Sequence, residues 1–278
     1  MQQHASLART DGASPISGTD KMLWRREGHV GTIIFNNPEK LNAVSLEMWG
    51  ATAEILEAFA SDNDVRVVVL TGAGGKAFVS GADISRFENE RATLEAQARY
   101  NAIVERLYGT IHDFSKPIIA MIRGYCIGGG LGLAIACDLR ICSENSTFAL
   151  PAAKLGLGYG YAGIKRFVDT IGPAFTKEIF FTAKQFSARE AYEMGLVNRV
   201  VVEAELEAAV RDYADTIGNN APLTLKASKY AVLQAVEAES KRNLERSAEL
   251  VKQCFASQDY IEGRRAFMEK RKPVFTGT

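Results

Sequence analysis

Two short, largely apolar runs, VRVVVLTG (65–72) and KPIIAMI (116–122), and a further strand pattern, LRICSE (139–144), fall between stretches whose apolar residues recur at helical spacing. A strand that is apolar on both faces has no side to show to water and needs cover above and below, as in parallel sheets flanked by helices. Strands and helices alternate in this way over about 130 residues, which predicts α/β layers joined by crossover connections. Upstream, MLWRREGHVGTIIF (22–35) reads as a strand hairpin broken at Glu27-Gly28. Ser45 then reads as the N-cap of a helix carrying Leu46, Trp49, Ile55, Leu56 and Phe59. From about Ala162 the pattern changes to successive helices, one short strand (VNRVVV) and four amphipathic stretches, so the last third is expected to be helical.

Charge and cysteine usage narrow the function. Lys and Arg number 33 and Asp and Glu 33, a net charge of zero without the basic, aromatic-interleaved stripe that nucleic acid requires. A local patch still suffices for a small anionic ligand. Cys126, Cys137, Cys142 and Cys254 form no CxxC pair, and His4, His29 and His112 lie far apart, so no metal site is expected. Such cysteine usage suits a reducing cytoplasm. No 18 apolar residues run together, which argues against a membrane span, and residues 1–21 lack the apolar core of a signal peptide and read as a disordered leader.

Two glycine loops follow buried strands: SGAD (80–83) and IGGG (127–130). The second opens a helix, so the N–H groups around Gly129 point outward with the positive end of the helix dipole behind them. If the first loop aims the Ala82 N–H at the same point, the pair forms an oxyanion hole for a carbonyl becoming an enolate. Taken singly, each loop reads equally as a turn that permits tight strand-to-helix packing.

Together the loops resemble a known family. KAFVSGADI, RGYCIGGGLGLAIACDLRI, FALPAAKLGL, EAYEMGLVNRVV and AFMEKRKPVF are similar to the crotonase (enoyl-CoA hydratase/isomerase) superfamily, in its order and spacing, over about residues 22–276. The resemblance implies an α/β spiral of ββα units over 22–205 and a helical C-terminal trimerisation region over 206–278, giving a homotrimer or dimer of trimers. It implies an acyl-CoA substrate and no cofactor beyond its coenzyme A moiety. The thioester oxygen would sit between the N–H groups of Ala82 and Gly129. The CoA cleft would be lined by Lys40, Leu41, Asn42 and Ala43, by Ser80, Gly81, Ala82, Asp83 and Ile84, and by Ile127, Gly128, Pro151, Ala152 and Leu155. Phe267 and Lys270 would reach CoA from the same or a neighbouring subunit, with Lys270 and Lys272 suited to phosphates or else part of a solvated basic tail.

The chain departs from that family where hydration is carried out. Hydratases place one glutamate two positions after the GGG run, where this chain has Gly132, and another after a proline, where Pro151 is followed by Ala152. Neither glycine nor alanine transfers a proton, so two-base hydration at these positions is excluded. Enolate stabilisation without a strong base suits decarboxylation of a malonyl-type thioester, against an apolar wall of Ile127, Leu131, Leu150, Ala152 and Leu155. LGLGYGYAGIKRFV and KEIFFTA resemble the methylmalonyl-CoA decarboxylase branch, which has a tyrosine at the position of Tyr159, although that branch has histidine at the position of Ala82. The Tyr159 phenol would orient the carboxylate or protonate the enolate.

Other readings stay open at this level. A hydratase or isomerase would need a base from elsewhere, with Glu88, Glu90 or Tyr159 as candidates; a CoA-binding protein without turnover is a third reading. Asp83 and Asp138 read as loop caps, Cys126 as a small buried residue or a thiol activated by the helix end, and Tyr161 as a pocket or a packing residue. Leu244, Leu250, Val251 and Phe255 form apolar stripes expected to be partly exposed on a single chain. Pocket volume depends on how the helix over 91–112 packs above the site.

Overall fold

The computed structural model describes residues 14–16, 19–86 and 93–278, the first three as backbone alone. Strand β1 (Ser14–Ile16) pairs antiparallel with β2 (Thr19–Glu27), so the segment read as a disordered leader contributes to the sheet from residue 14. Strand β2 turns back through Gly28, at φ 59°, into β3 (Val30–Phe35), forming the expected hairpin.

After α1 (Leu46–Ser61), strands enter in pairs. β4 (Val67–Gly72), β6 (Ile118–Ile122) and β8 (Leu139–Ser143) each join a large sheet. Each is followed by a three-residue strand of a second, smaller sheet: β5 (Ala77–Val79), β7 (Tyr125–Ile127) and β9 (Thr147–Ala149). A helix closes each pair: α2 (Leu94–Asp113), α3 (Gly129–Ala136) and α4 (Tyr161–Thr182). β10 (Gln185–Ser187) then completes the small sheet, and after α5 (Ala188–Glu193), β11 (Arg199–Val201) completes the large one. The large sheet runs β1-β2-β3-β4-β6-β8-β11 and is parallel from β3 onward; the small sheet runs β10-β9-β7-β5, parallel except at β10. This is a spiral of ββα units.

The apolar runs divide by alternation. Val68, Leu70, Ile118, Ala120 and Ile122 face inward to the cluster that also holds Phe59, Phe78, Leu131 and Phe148. Val67, Val69, Ile119 and Ile141 face outward, beneath α6 (Leu206–Gly218), whose Leu206, Val210 and Ala214 are buried on them. The helical region expected to begin at residue 206 therefore opens with a helix that belongs to the core. Beyond it, α7 (Pro222–Val236), α8 (Leu244–Ala256) and α9 (Gln258–Glu269) bury few side chains, among them Ala227, Leu250 and Ala266. Leu250, expected on the exposed stripe, is buried, whereas Leu244, Val251 and Phe255 are exposed. Lys229 ties α7 to the sheet by an ion pair with Asp138 at 2.7 Å, while Asp138 also accepts from the Ile118 N–H at 2.7 Å.

Local chemistry sets the helix limits. Ser45 accepts from Met48 N, Thr93 from Ala96 N, and Ser187 and Glu190 form a reciprocal capping box. The helix read from residue 91 starts at Leu94. α4 is interrupted at Gly172-Pro173, where Gly172 has φ 73° and ψ 170°, between GIKRFVDTIG and FTKEIFFTA, which have separate helical patterns in the sequence.

Candidate active site

Residues 40–43 and 80–84 meet as a stitched double loop. Leu41 and Asn42 both take left-handed backbone, at φ 51° and 55°, a conformation that costs a side-chain-bearing residue roughly 1–2 kcal/mol. The fully buried Asn42 amide holds it, donating to Ala73 O at 2.9 Å and Ala77 O at 2.7 Å and accepting from Asn37 N at 2.9 Å. The Leu41 carbonyl then accepts from Ser80 N at 3.2 Å, and Val44 bridges Ala82 in parallel register through Gly81 O and Asp83 N. That register engages the residues on either side of Ala82. The Ala82 N–H itself finds no acceptor among the described residues.

Gly129, at the first turn of α3, lies close to Ala82. A Cβ at Gly129 would stand 3.9 Å from Ala82 N and 3.2 Å from Trp49 Cζ2, and one at Gly81 would stand 3.9 Å from Gly129 N. α3 sits this close because Gly130 lets it: a Cβ there would lie 2.1 Å from the Val79 carbonyl oxygen of β5. The Ala82 and Gly129 backbones are thus neighbours, with the positive end of the α3 dipole at Gly129.

Asp83 is engaged rather than free to act as an acid. Its carboxylate accepts from Ser85 N, Ser85 Oγ (2.6 Å) and Lys40 Nζ (2.9 Å). Burial works against the charge, but the Ser85 and Lys40 hydrogen bonds outweigh it and hold the carboxyl below its ordinary value. Lys40 thus spans the two loops, its Nζ also reaching Ser85 Oγ at 2.9 Å.

One turn along α3 lies the buried Gly132. A Cβ added there would meet Tyr108 Oη at 2.8 Å and Tyr159 Oη at 3.9 Å, so two phenols share the space that a side chain at 132 would enter. Tyr159 is packed edge-on against Phe180 at 5.2 Å, and Phe180 against Phe167 at 5.3 Å. Tyr108 comes from α2 and carries the Arg166 guanidinium over its ring at 4.3 Å. Burial, then the neighbouring Tyr159, drives the Tyr108 phenol above the usual tyrosine range, with Arg166 pulling the other way. Burial thus disfavours the phenolate form of Tyr108. Tyr108 was not singled out from the sequence.

The other expected residues separate. Leu131 and Leu150 are fully buried and Ala152 nearly so, Ile127, Gly128 and Pro151 are half-buried, and Ile84 and Leu155 are exposed. Leu155, at the end of the Pro151–Leu155 turn, is exposed on the single chain. Tyr161 is 81% exposed and does not share the pocket. Cys126 is fully buried and its thiol is pushed well above its ordinary value by burial, which disposes of the activated-thiol reading. Glu88 and Glu90 lie outside the described residues. Phe267 lines a separate cavity of about 960 Å³ with Leu223, Phe255, Tyr260 and Phe275, and Lys270 caps α9 in left-handed backbone. Neither of the two touches the oxyanion loops in the described contacts. Among the described residues no three His, Cys, Asp or Glu side chains are grouped to hold a metal ion, and no helix is long and apolar enough to cross a membrane.

The enoyl-CoA hydratase/isomerase family profile matches residues 25–278. The chain belongs to that family. It is 34% identical to a short-chain-enoyl-CoA hydratase of Clostridium acetobutylicum, over 91% of this chain and 96% of that protein. It is 37% identical to a carnitinyl-CoA dehydratase of Proteus mirabilis, over 90% and 96%. Among solved structures, an enoyl-CoA hydratase/carnithine racemase from Magnetospirillum magneticum superposes with a TM-score of 0.88 at 34% identity, covering 94% of this chain and 97% of that one. The protein is thus an acyl-CoA enzyme of the crotonase superfamily.

Proposed function

We propose that this crotonase-superfamily enzyme forms a thioester enolate by losing CO₂ from a malonyl-type acyl-CoA. The observation that carries the reading is the content of the space at Gly132: two phenols, one of them held protonated, where proton abstraction needs a carboxylate. In decarboxylation the C–C bond to the carboxylate breaks, its electron pair flows into the thioester carbonyl, and the Ala82 and Gly129 N–H groups hold the oxyanion. No base is required. The buried apolar side chains of Leu131, Leu150 and Ala152 supply the apolar wall the reading calls for, with little to solvate a carboxylate. Lys40 to Ala43 and Ser80 to Ile84 hold the CoA, with Phe267 and Lys270 supplied by a neighbouring copy of the chain in a trimer, in the cytoplasm.

The names of the relatives support a second reading, a hydratase or dehydratase whose base comes from elsewhere in the chain. Mass spectrometry of purified protein with methylmalonyl-CoA, ethylmalonyl-CoA and crotonyl-CoA separates the two. Loss of the mass of CO₂ from a malonyl-type thioester, weakened in Tyr159→Phe, is the expected result. Gain of water on crotonyl-CoA at an enzymatic rate, with no loss of CO₂, overturns the decarboxylase reading.

A further inference from the structure

We propose that Tyr108 is the group that returns a proton to the enolate carbon, and that Arg166 positions it. The inference rests on the enolate chemistry proposed above but not on how the enolate arises.

Three helices meet at this point. Tyr108 stands on α2, Gly132 on α3, and Arg166 on α4, which follows Tyr159 by two residues. Gly129 and Gly132 are three residues apart and so lie on one face of α3, about 4.5 Å along its axis. An enolate oxygen held at Gly129 N therefore leaves the carbon skeleton close to the Gly132 surface. The phenol nearest that surface is Tyr108: its oxygen would be 2.8 Å from a Cβ at Gly132, against 3.9 Å for Tyr159. Absence of a side chain at 132 is what admits it. Arg166, 4.3 Å above the ring, limits its rotation and favours electron density on the aromatic face. Burial keeps the phenol in its protonated form at neutral pH, as a donor must be.

The step balances simply. The Oη–H bond breaks, the enolate pair forms a new C–H bond at C2 of the acyl group, and the phenolate left behind takes a proton from water as product leaves. A phenol fixed on one side of the acyl chain delivers that proton to one face.

The test uses full-length wild type, Tyr108→Phe and Arg166→Met in D₂O, each with methylmalonyl-CoA and, separately, crotonyl-CoA. Product deuterium is counted by mass spectrometry, its C2 configuration is read by NMR after chiral derivatisation, and CoA affinity and thermal melting are measured for each variant. Tyr108→Phe is expected to bind CoA as wild type does, to turn over about 10²-fold more slowly, and to scatter the deuterium over both C2 faces. Arg166→Met, which keeps the hydroxyl, is expected to show a smaller loss of facial selectivity. Wild-type rate and selectivity in Tyr108→Phe overturn the role of Tyr108 and leave the decarboxylase reading standing. Wild type that hydrates crotonyl-CoA without losing CO₂ overturns that reading, and Tyr108 stands if its variant still scrambles C2. No product from wild type overturns both. Should Tyr108→Phe fail to melt cooperatively, unchanged rate and selectivity in Arg166→Met overturn the proposal.

Discussion

Gly132 and Tyr108 behave as one unit of volume, and their coupling is measurable without knowing the substrate. Gly132→Ala places a methyl group 2.8 Å from Tyr108 Oη, an overpacking expected to cost about 1–3 kcal/mol. In a Tyr108→Phe background the nearest atoms are Tyr159 Oη at 3.9 Å and the ring carbon at 4.0 Å, both at ordinary contact distance, and most of that cost is expected to vanish. A double-mutant cycle by urea denaturation reads it; additive effects would mean the two residues are independent. Asp83 gives a pH prediction. Its folded carboxyl titrates below its ordinary value, so its contribution is complete above the ordinary carboxylate range and is lost as pH falls through the lower folded value. Stability curves across that acid window are expected to be shallower in Asp83→Asn than in wild type. The thiols report burial: Cys137 and Cys142 are pushed up to about 12, burial being the first cause for each, and Cys126 is fully enclosed. Iodoacetamide at neutral pH is therefore expected to modify Cys254 alone in the native chain and all four cysteines after unfolding.

At the scale of elements, α3 is the part whose placement decides the chemistry, and Gly130 decides the placement. A methyl group there would meet the Val79 carbonyl at 2.1 Å, backbone that cannot swing aside as a side-chain tip can. Gly130→Ala is expected to push the first turn of α3 off β5 and lower turnover by about 10²–10³, the usual effect of losing one oxyanion donor. Retained turnover would show that the donors sit elsewhere. Much of this layer was legible in the sequence. β4 and β6 announced themselves as apolar runs, β8 as a further strand, Ser45 as a cap, and the Gly172-Pro173 break as the gap between two helical patterns. The small sheet was not, because β5, β7, β9 and β10 have three residues each, too few for a period to register. Tyr108 was hidden for another reason. On α2 it shares a face with Tyr100, Val104, Leu107 and Ile111 and reads as one more packing residue. Its meaning comes from Gly132, far along the chain. The missing side chain at 132 was visible, but what fills its place is a property of the fold.

At the scale of the molecule, α7, α8 and α9 leave Val251, Phe255, Phe267 and Met268 exposed around a cavity of about 960 Å³, and Leu244 exposed outside it. Under the proposed trimer, Leu244→Ser with Phe255→Ser is expected to shift the light-scattering mass toward that of one chain and to weaken CoA binding. An unchanged mass would place the subunit contact elsewhere. The strand order carries a different consequence, for synthesis. In both sheets each strand lies beside the one made before it, so the chain can build outward as it leaves the ribosome, with no gap kept open for a later strand. The lid arrives late. Val67, Val69, Ile119 and Ile141 stay bare until Leu206, Val210 and Ala214 follow, and a chain arrested between Ile141 and Leu206 shows a chaperone an open apolar floor.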